Sequence, residues 1–130
     1  MKKKFSVKWL SSKQPRKQRK YRYNAPLHRR QKMVSSNLDK LLRKELGVRS
    51  IHVRKGDEVQ IMRGGFRGKR GSVTDVNLKS MKAYVDNVKR KTVSGKDVQV
   101  PIDPSNLKIL KLNLDDAKRK KAFEKKRVNK

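Results

Sequence analysis

Arg63, Arg67, Lys69 and Arg70 are interleaved with Gly64, Gly65, Gly68 and Gly71 in one short stretch of the chain. Guanidinium and ammonium groups at this spacing can hold phosphate oxygens through charge-assisted hydrogen bonds. The glycines permit backbone with φ > 0 and let a ligand come close to the main chain. A second constellation lies upstream, where Tyr21, Tyr23 and His28 alternate with Arg19, Lys20, Arg22, Arg29 and Arg30. Rings beside cations suit base or ribose stacking combined with phosphate contact.

Neither set is built for bond-breaking chemistry. The glycine-rich stretch is not the nucleotide-binding GxxxxGK[ST] loop. Counting back from Gly68 and Lys69 puts Arg63 where the first glycine must stand, and Arg70 replaces the hydroxyl that would hold magnesium. GxGxxG is absent as well. His28 and His52 have no carboxylate pattern near them, and the eleven acids are scattered, so neither a metal site nor a general base is expected. With no cysteine there is no disulfide framework and no thiolate ligand.

The charge balance names the partner class. Lys and Arg number 39 against 11 acids in 130 residues, a net charge of +28 with a pI near 11.0. A compact chain with that balance repels itself until a polyanion neutralises it, and nucleic acid is the polyanion it fits. An anionic membrane surface is the competing partner, but no long apolar run is present to insert. Phe5, Val7, Trp9 and Leu10 are too few and too interrupted by charge for a signal peptide, which favours a cytoplasmic protein.

The charge is also unevenly placed. Residues 1–34 carry 13 Lys/Arg and no acid, residues 53–110 carry 13 against six acids, and residues 111–130 carry nine against three. This divides the chain into a basic arm at 1–34, a helix at 35–47, a small β domain at 48–114 and a basic tail at 115–130. The arm holds Pro15 and Pro26 and few aliphatics, so it is expected to be extended and not to fold alone.

The elements that must position the cations follow from periodicity. Leu38, Leu41, Leu42 and Leu46 fall at helical spacing, with Ser36 and Asp39 spaced as a capping pair and Gly47 as the stop. Lys55, Gly56 and Asp57 read as a turn. Val59 and Ile61 alternate with Gln60 and Met62 as a first strand. Val73 and Val76 mark a second, with an irregular step at Thr74 and Asp75. Ala83 and Val85 face one way on a third, with Tyr84 facing the other. Residues 98–100 alternate again, residues 101–106 form a loop bracketed by Pro101 and Pro104, and residues 107–109 are the last strand. Short strands at such spacing argue a small barrel. Residues 115–130 have helix-forming composition, but an isolated helix of that length is marginal in water, so it is expected to order on a partner.

The 53–77 stretch resembles the KOW motif, through Val53, Lys55, Gly56, Asp57, Val59, Ile61, Gly64, Gly68, Lys69, Gly71, Val73 and Val76. With its flanks, the chain resembles the KOW-containing protein family of the large ribosomal subunit, numbered twenty-four in bacteria, in its archaeal and eukaryotic form. SKQPRKQR at 12–19, YNAPLH at 23–28, the 35–43 segment and IDPSNL at 102–107 carry that likeness. The resemblance implies a mainly β fold, an SH3-like small barrel with a short N-terminal helix and basic extended arms at both ends. It implies a non-catalytic structural protein, with no cofactor and no small-molecule substrate, that sits in the cytoplasmic ribosome. Its partners would be large-subunit ribosomal RNA, bound early in assembly and near the peptide exit tunnel, and neighbouring ribosomal proteins. RNA contact then falls on Lys13, Arg16, Lys17, Arg19, Lys20, Tyr23, Asn24, His28, Arg29 and Arg30 of the arm, where Tyr21 and Arg22 share the stacking pattern. In the β domain it falls on Arg54, Lys55, Arg63, Arg67, Lys69 and Arg70. One departure is Asp103, which stands where members of the family carry His and argues against phosphate contact by the loop around it. The alternative is a KOW transcription elongation or RNA-chaperone factor, which would need a protein-binding domain beside the barrel.

Overall fold

The computed structural model describes residues 5–6, 8 and 12–128, with side chains described up to Glu124. Val7, Trp9 and Leu10, weighed above as a targeting segment, lie outside the described residues. In chain order the elements are α1 (Pro15–Asn24), α2 (Leu27–Met33), β1 (Ser35–Leu38), α3 (Lys40–Leu46), β2 (Ser50–His52), β3 (Glu58–Ile61), β4 (Arg70–Asn77), β5 (Lys82–Val85), β6 (Lys89–Lys91) and β7 (Asp97–Gln99). A 3-10 turn (Pro104–Asn106), β8 (Leu107–Lys111) and α4 (Ala117–Val128) complete it. No helix among the described residues is long and apolar enough to cross a membrane.

Six strands form one mixed sheet in the order β2-β1-β8-β3-β4-β5, and β6 and β7 form a separate hairpin. The period of two decides which side chains face the core. Val59 and Ile61 of β3, Ala83 and Val85 of β5, and Leu107 and Ile109 of β8 are all buried. Tyr84 and Gln60, between them, are only half-buried. Val34, Leu38, Val53, Val73, Val88 and Ile102 complete the core. Each such Val, Leu or Ile side chain contributes about 1.5–3 kcal/mol when fully buried. The irregular step expected in the second strand is a register shift between Val73 and Asp75 where β4 pairs β5. A bridge between Ala83 and Ile102 ties the β5 edge back to the chain that enters β8.

Three expectations are corrected. The helix expected over 35–47 starts later, because Ser35–Leu38 is a strand, pairing antiparallel with β2 and parallel with β8. Ser36 donates its hydroxyl to Pro104 O at 2.5 Å instead of capping a helix, and Leu38 is a core strand residue. α3 begins after Asp39, Gly47 closes it at φ 63°, and Leu41 is exposed, so the leucines do not share one face. The arm is not extended: it forms α1 and α2, since Pro15 sits in the first helical turn, where a missing N–H costs nothing. Finally, the helix expected to order only on a partner, α4, is packed on the chain's own β domain: Arg119 and Phe123 are buried.

Candidate nucleic-acid interface

The turn joining β3 to β4 is built by its own backbone. The Ile61 N–H donates to Lys69 O at 3.0 Å and the Gly68 N–H to Ile61 O at 2.9 Å. Arg67 N–H donates to Gly64 O and Lys69 N–H to Phe66 O, while Met62 N–H anchors the base of the turn to Asn106 O at 2.8 Å. Gly64 and Gly68 adopt φ of 98° and 86°, which side-chain-bearing residues rarely reach. A methyl group at Gly64, Gly65 or Gly68 would meet nothing within 4 Å, so their backbone faces open space. Phe66 packs against the core from inside the turn, and Lys69 Nζ lies 5.1 Å from its ring centroid. Arg63, Arg67, Lys69 and Arg70 are all exposed, and among the described residues no acid pairs with any of them. Four uncompensated cations around accessible backbone can take up the oxygens of a polyanion.

Arg54 and Lys55 stand differently. Arg54 pairs with Asp116 beside α4, and Lys55 Nζ lies 2.8 Å from Asp75 Oδ1 on β4. These hydrogen bonds hold the carboxyls of Asp116 and Asp75 below the ordinary carboxylate value. Both cations therefore have intramolecular partners and join segments of the β domain.

On the arm, Lys13, Arg16, Lys17, Arg19, Lys20 and Arg22 are exposed, as are Tyr23 and His28, while Asn24 and Arg29 are half-buried. Two residues are engaged within the fold. Tyr21 packs its ring on Phe5, with centroids 4.8 Å apart. Arg30 donates from Nε to Ala25 O at 2.9 Å, from Nη2 to Tyr23 O, and from Nη1 to Lys79 O at 2.5 Å. It thus binds the C-terminal end of α1 and docks the arm on the turn between β4 and β5. The helix α1 holds five Lys or Arg and no acid, so its charges repel one another until an anion neutralises them.

Sequence reasoning missed the buried pair Asp57 and Arg119. Arg119 Nη1 donates to Asp57 Oδ1 at 2.6 Å and Nη2 to Oδ2 at 2.8 Å, with further bonds to Asn113 O and His52 O. Asp57 also accepts the N–H groups of Arg54 and Asn113. Nothing in a run of basic residues marks one of them as buried; the only signal was an arginine among lysines, the side chain suited to two-point carboxylate contact.

A protein family described as "Ribosomal proteins L26 eukaryotic", together with the archaeal form numbered twenty-four, matches residues 12–126. The chain is 48% identical over 120 residues to the "Large ribosomal subunit protein uL24" of Nanoarchaeum equitans, covering 92% of this chain and 81% of that relative. It is 44% identical over 119 residues to the protein of the same name from Korarchaeum cryptofilum, covering 92% and 91%.

Proposed function

The chain belongs to this ribosomal-protein family, and from that premise we infer that it is a structural constituent of the large ribosomal subunit, acting in the ribosome by binding large-subunit ribosomal RNA. The observation that carries the RNA contact is the 63–70 turn, where four cations that pair with no acid among the described residues surround glycine backbone that faces open space. RNA phosphates are the polyanion such a turn accommodates. The exposed cations of α1 are a second contact, which RNA stabilises by relieving their mutual repulsion. The role is non-catalytic: binding and positioning of RNA, early in subunit assembly and near the peptide exit tunnel, with neighbouring ribosomal proteins beside it. In this reading the sheet is an SH3-like barrel, supported by the Ala83–Ile102 bridge that returns its β5 edge toward β8.

Sucrose-gradient fractionation of cell lysate tests this reading. The protein is expected to migrate with large subunits and to stay there through a high-salt wash. Migration with RNA polymerase, or a free pool at the top of the gradient, would instead favour the transcription-factor reading.

A further inference from the structure

A groove lies between α1 and the turn joining β4 to β5. Arg19, Arg22 and Tyr23 line it from α1, Lys79 from the turn, and Lys82 of β5 stands on its rim paired with Asp103. Arg30 holds the two walls together through Lys79 O and Tyr23 O. The far wall is shaped by an unusual backbone: Met81 has φ 55°, the one non-glycine residue with positive φ among those described, and Ser80 N–H is capped by Asn77 Oδ1 at 3.1 Å. A bulky residue held in that region needs its surroundings to impose it, and such outliers concentrate where a surface is shaped for a ligand.

The two arm tyrosines have different situations. Tyr21 is covered by Phe5, whereas Tyr23 is 79% exposed although it borders the groove. Arg19 and Tyr23 are four residues apart, so they share a face of α1. An open ring flanked by arginines matches what an unpaired nucleotide presents, one π-face and one phosphate. A base inside a duplex has no free face to offer.

We propose that this groove binds a single unstacked nucleotide of RNA, its base on the Tyr23 ring and its phosphate between Arg19, Arg22 and Lys79. Arg30 is a positioning residue that sets the groove's width. The proposal rests on the RNA-binding reading above and deepens it, because it separates a base-stacking site from the phosphate-binding turn.

The test uses the full chain and two RNA stem-loops, one with a single bulged 2-aminopurine and one with that base paired. The chain should bind the bulged RNA about fivefold to a hundredfold more tightly and quench its fluorescence. Tyr23→Phe should keep both effects, and Tyr23→Leu should abolish both while retaining binding to the paired stem. Leucine favours helix and the ring is exposed, so folding is not at stake. Equal affinity of the chain for the two RNAs, or a bulge preference that survives Tyr23→Leu, would overturn the stacking site and leave the RNA-binding function standing. No binding to either RNA would overturn both.

Discussion

Arg119 closes on Asp57 with two parallel hydrogen bonds, at 2.6 and 2.8 Å, and both side chains are buried. The pair joins α4 to the turn that leads into β3, and through His52 O it also holds the end of β2. A buried ion pair is a weak source of net stability, but loss of one partner leaves an uncompensated charge in the interior. Asp57→Ala or Arg119→Ala should each cost about 3–5 kcal/mol. The double variant should cost less than the two added together, because it strands no charge. Denaturant unfolding of the three variants checks this, and additive losses would contradict the coupling.

Gly71 sits among glycines that need an unusual backbone angle, but its own role is different. Its φ is not in the positive region, and it pairs with Val59 inside β4. What it lacks is room: a methyl group there would stand 2.8 Å from Cγ1 of buried Val85. Gly71→Val should destabilise by about 1–3 kcal/mol through overpacking. Gly65→Ala, which faces open space at ordinary φ, should leave the melting temperature nearly unchanged. Equal effects of the two would refute a steric role for Gly71.

The strands were legible because their inward residues alternate. Val59 with Ile61, and Ala83 with Val85, need no partner to reveal a period of two. The 63–70 turn was legible for a similar reason, since the glycines that shape it lie in one stretch. Ser35–Leu38 was not. Its strand state is set by β8, whose Lys108 and Ile109 lie some seventy residues away, while local leucine spacing favours helix. Long-range partners hid the rest of the site as well. Arg30 carries the same charge as its neighbours, yet it binds Lys79 O across 49 residues, and Arg119 meets Asp57 across 62.

Acid should loosen the fold in a defined window. Side-chain hydrogen bonds from Lys108, Lys55 and Arg54 hold Asp39, Asp75 and Asp116 below the ordinary value of 3.8. A carboxyl with a lowered folded value stabilises the native state above its unfolded value, and that stabilisation is lost as pH falls through the folded value. Melting temperature should therefore fall as pH drops below about 4, with no loss from these groups near neutrality. Asp116→Asn should flatten the acid limb, and added salt should shrink it because the pairs are solvent-accessible. An acid limb unchanged in Asp116→Asn would show that its pairing with Arg54 does not contribute.

The turn cations should act on RNA binding and not on folding. If about ten phosphates are neutralised, log K should fall against log salt with a slope of roughly −7 to −9. Arg63→Ala, Arg67→Ala, Lys69→Ala and Arg70→Ala should each make that slope shallower by about 1. Arg54→Ala should change the slope less than the turn variants do, since its guanidinium already pairs with Asp116. Deletion of residues 1–24, which removes α1 and leaves the core residue Val34 in place, should weaken RNA binding by a large factor. A slope near −2 for the full chain would rule out an arm contribution of this size.

Asp103 offers a prediction of opposite sign. It is the acid on the rim of the groove beside Tyr23, and its carboxylate lies 2.5 Å from Lys82 Nζ. In the native chain that ammonium is already compensated. Asp103→Asn removes the compensation and adds one cation to the RNA-facing wall, while an exposed ion pair contributes little to folding. RNA affinity should therefore rise when this acid is removed, and the salt slope should steepen by about 0.7–0.9. Lys82→Met should change little in the native chain, but it should cancel the gain in the Asp103→Asn background. A salt series on the four proteins decides the matter. An unaltered slope in Asp103→Asn would place the groove off the path of the RNA, whereas a gain reversed by Lys82→Met would show that Asp103 tunes how tightly the groove holds phosphate.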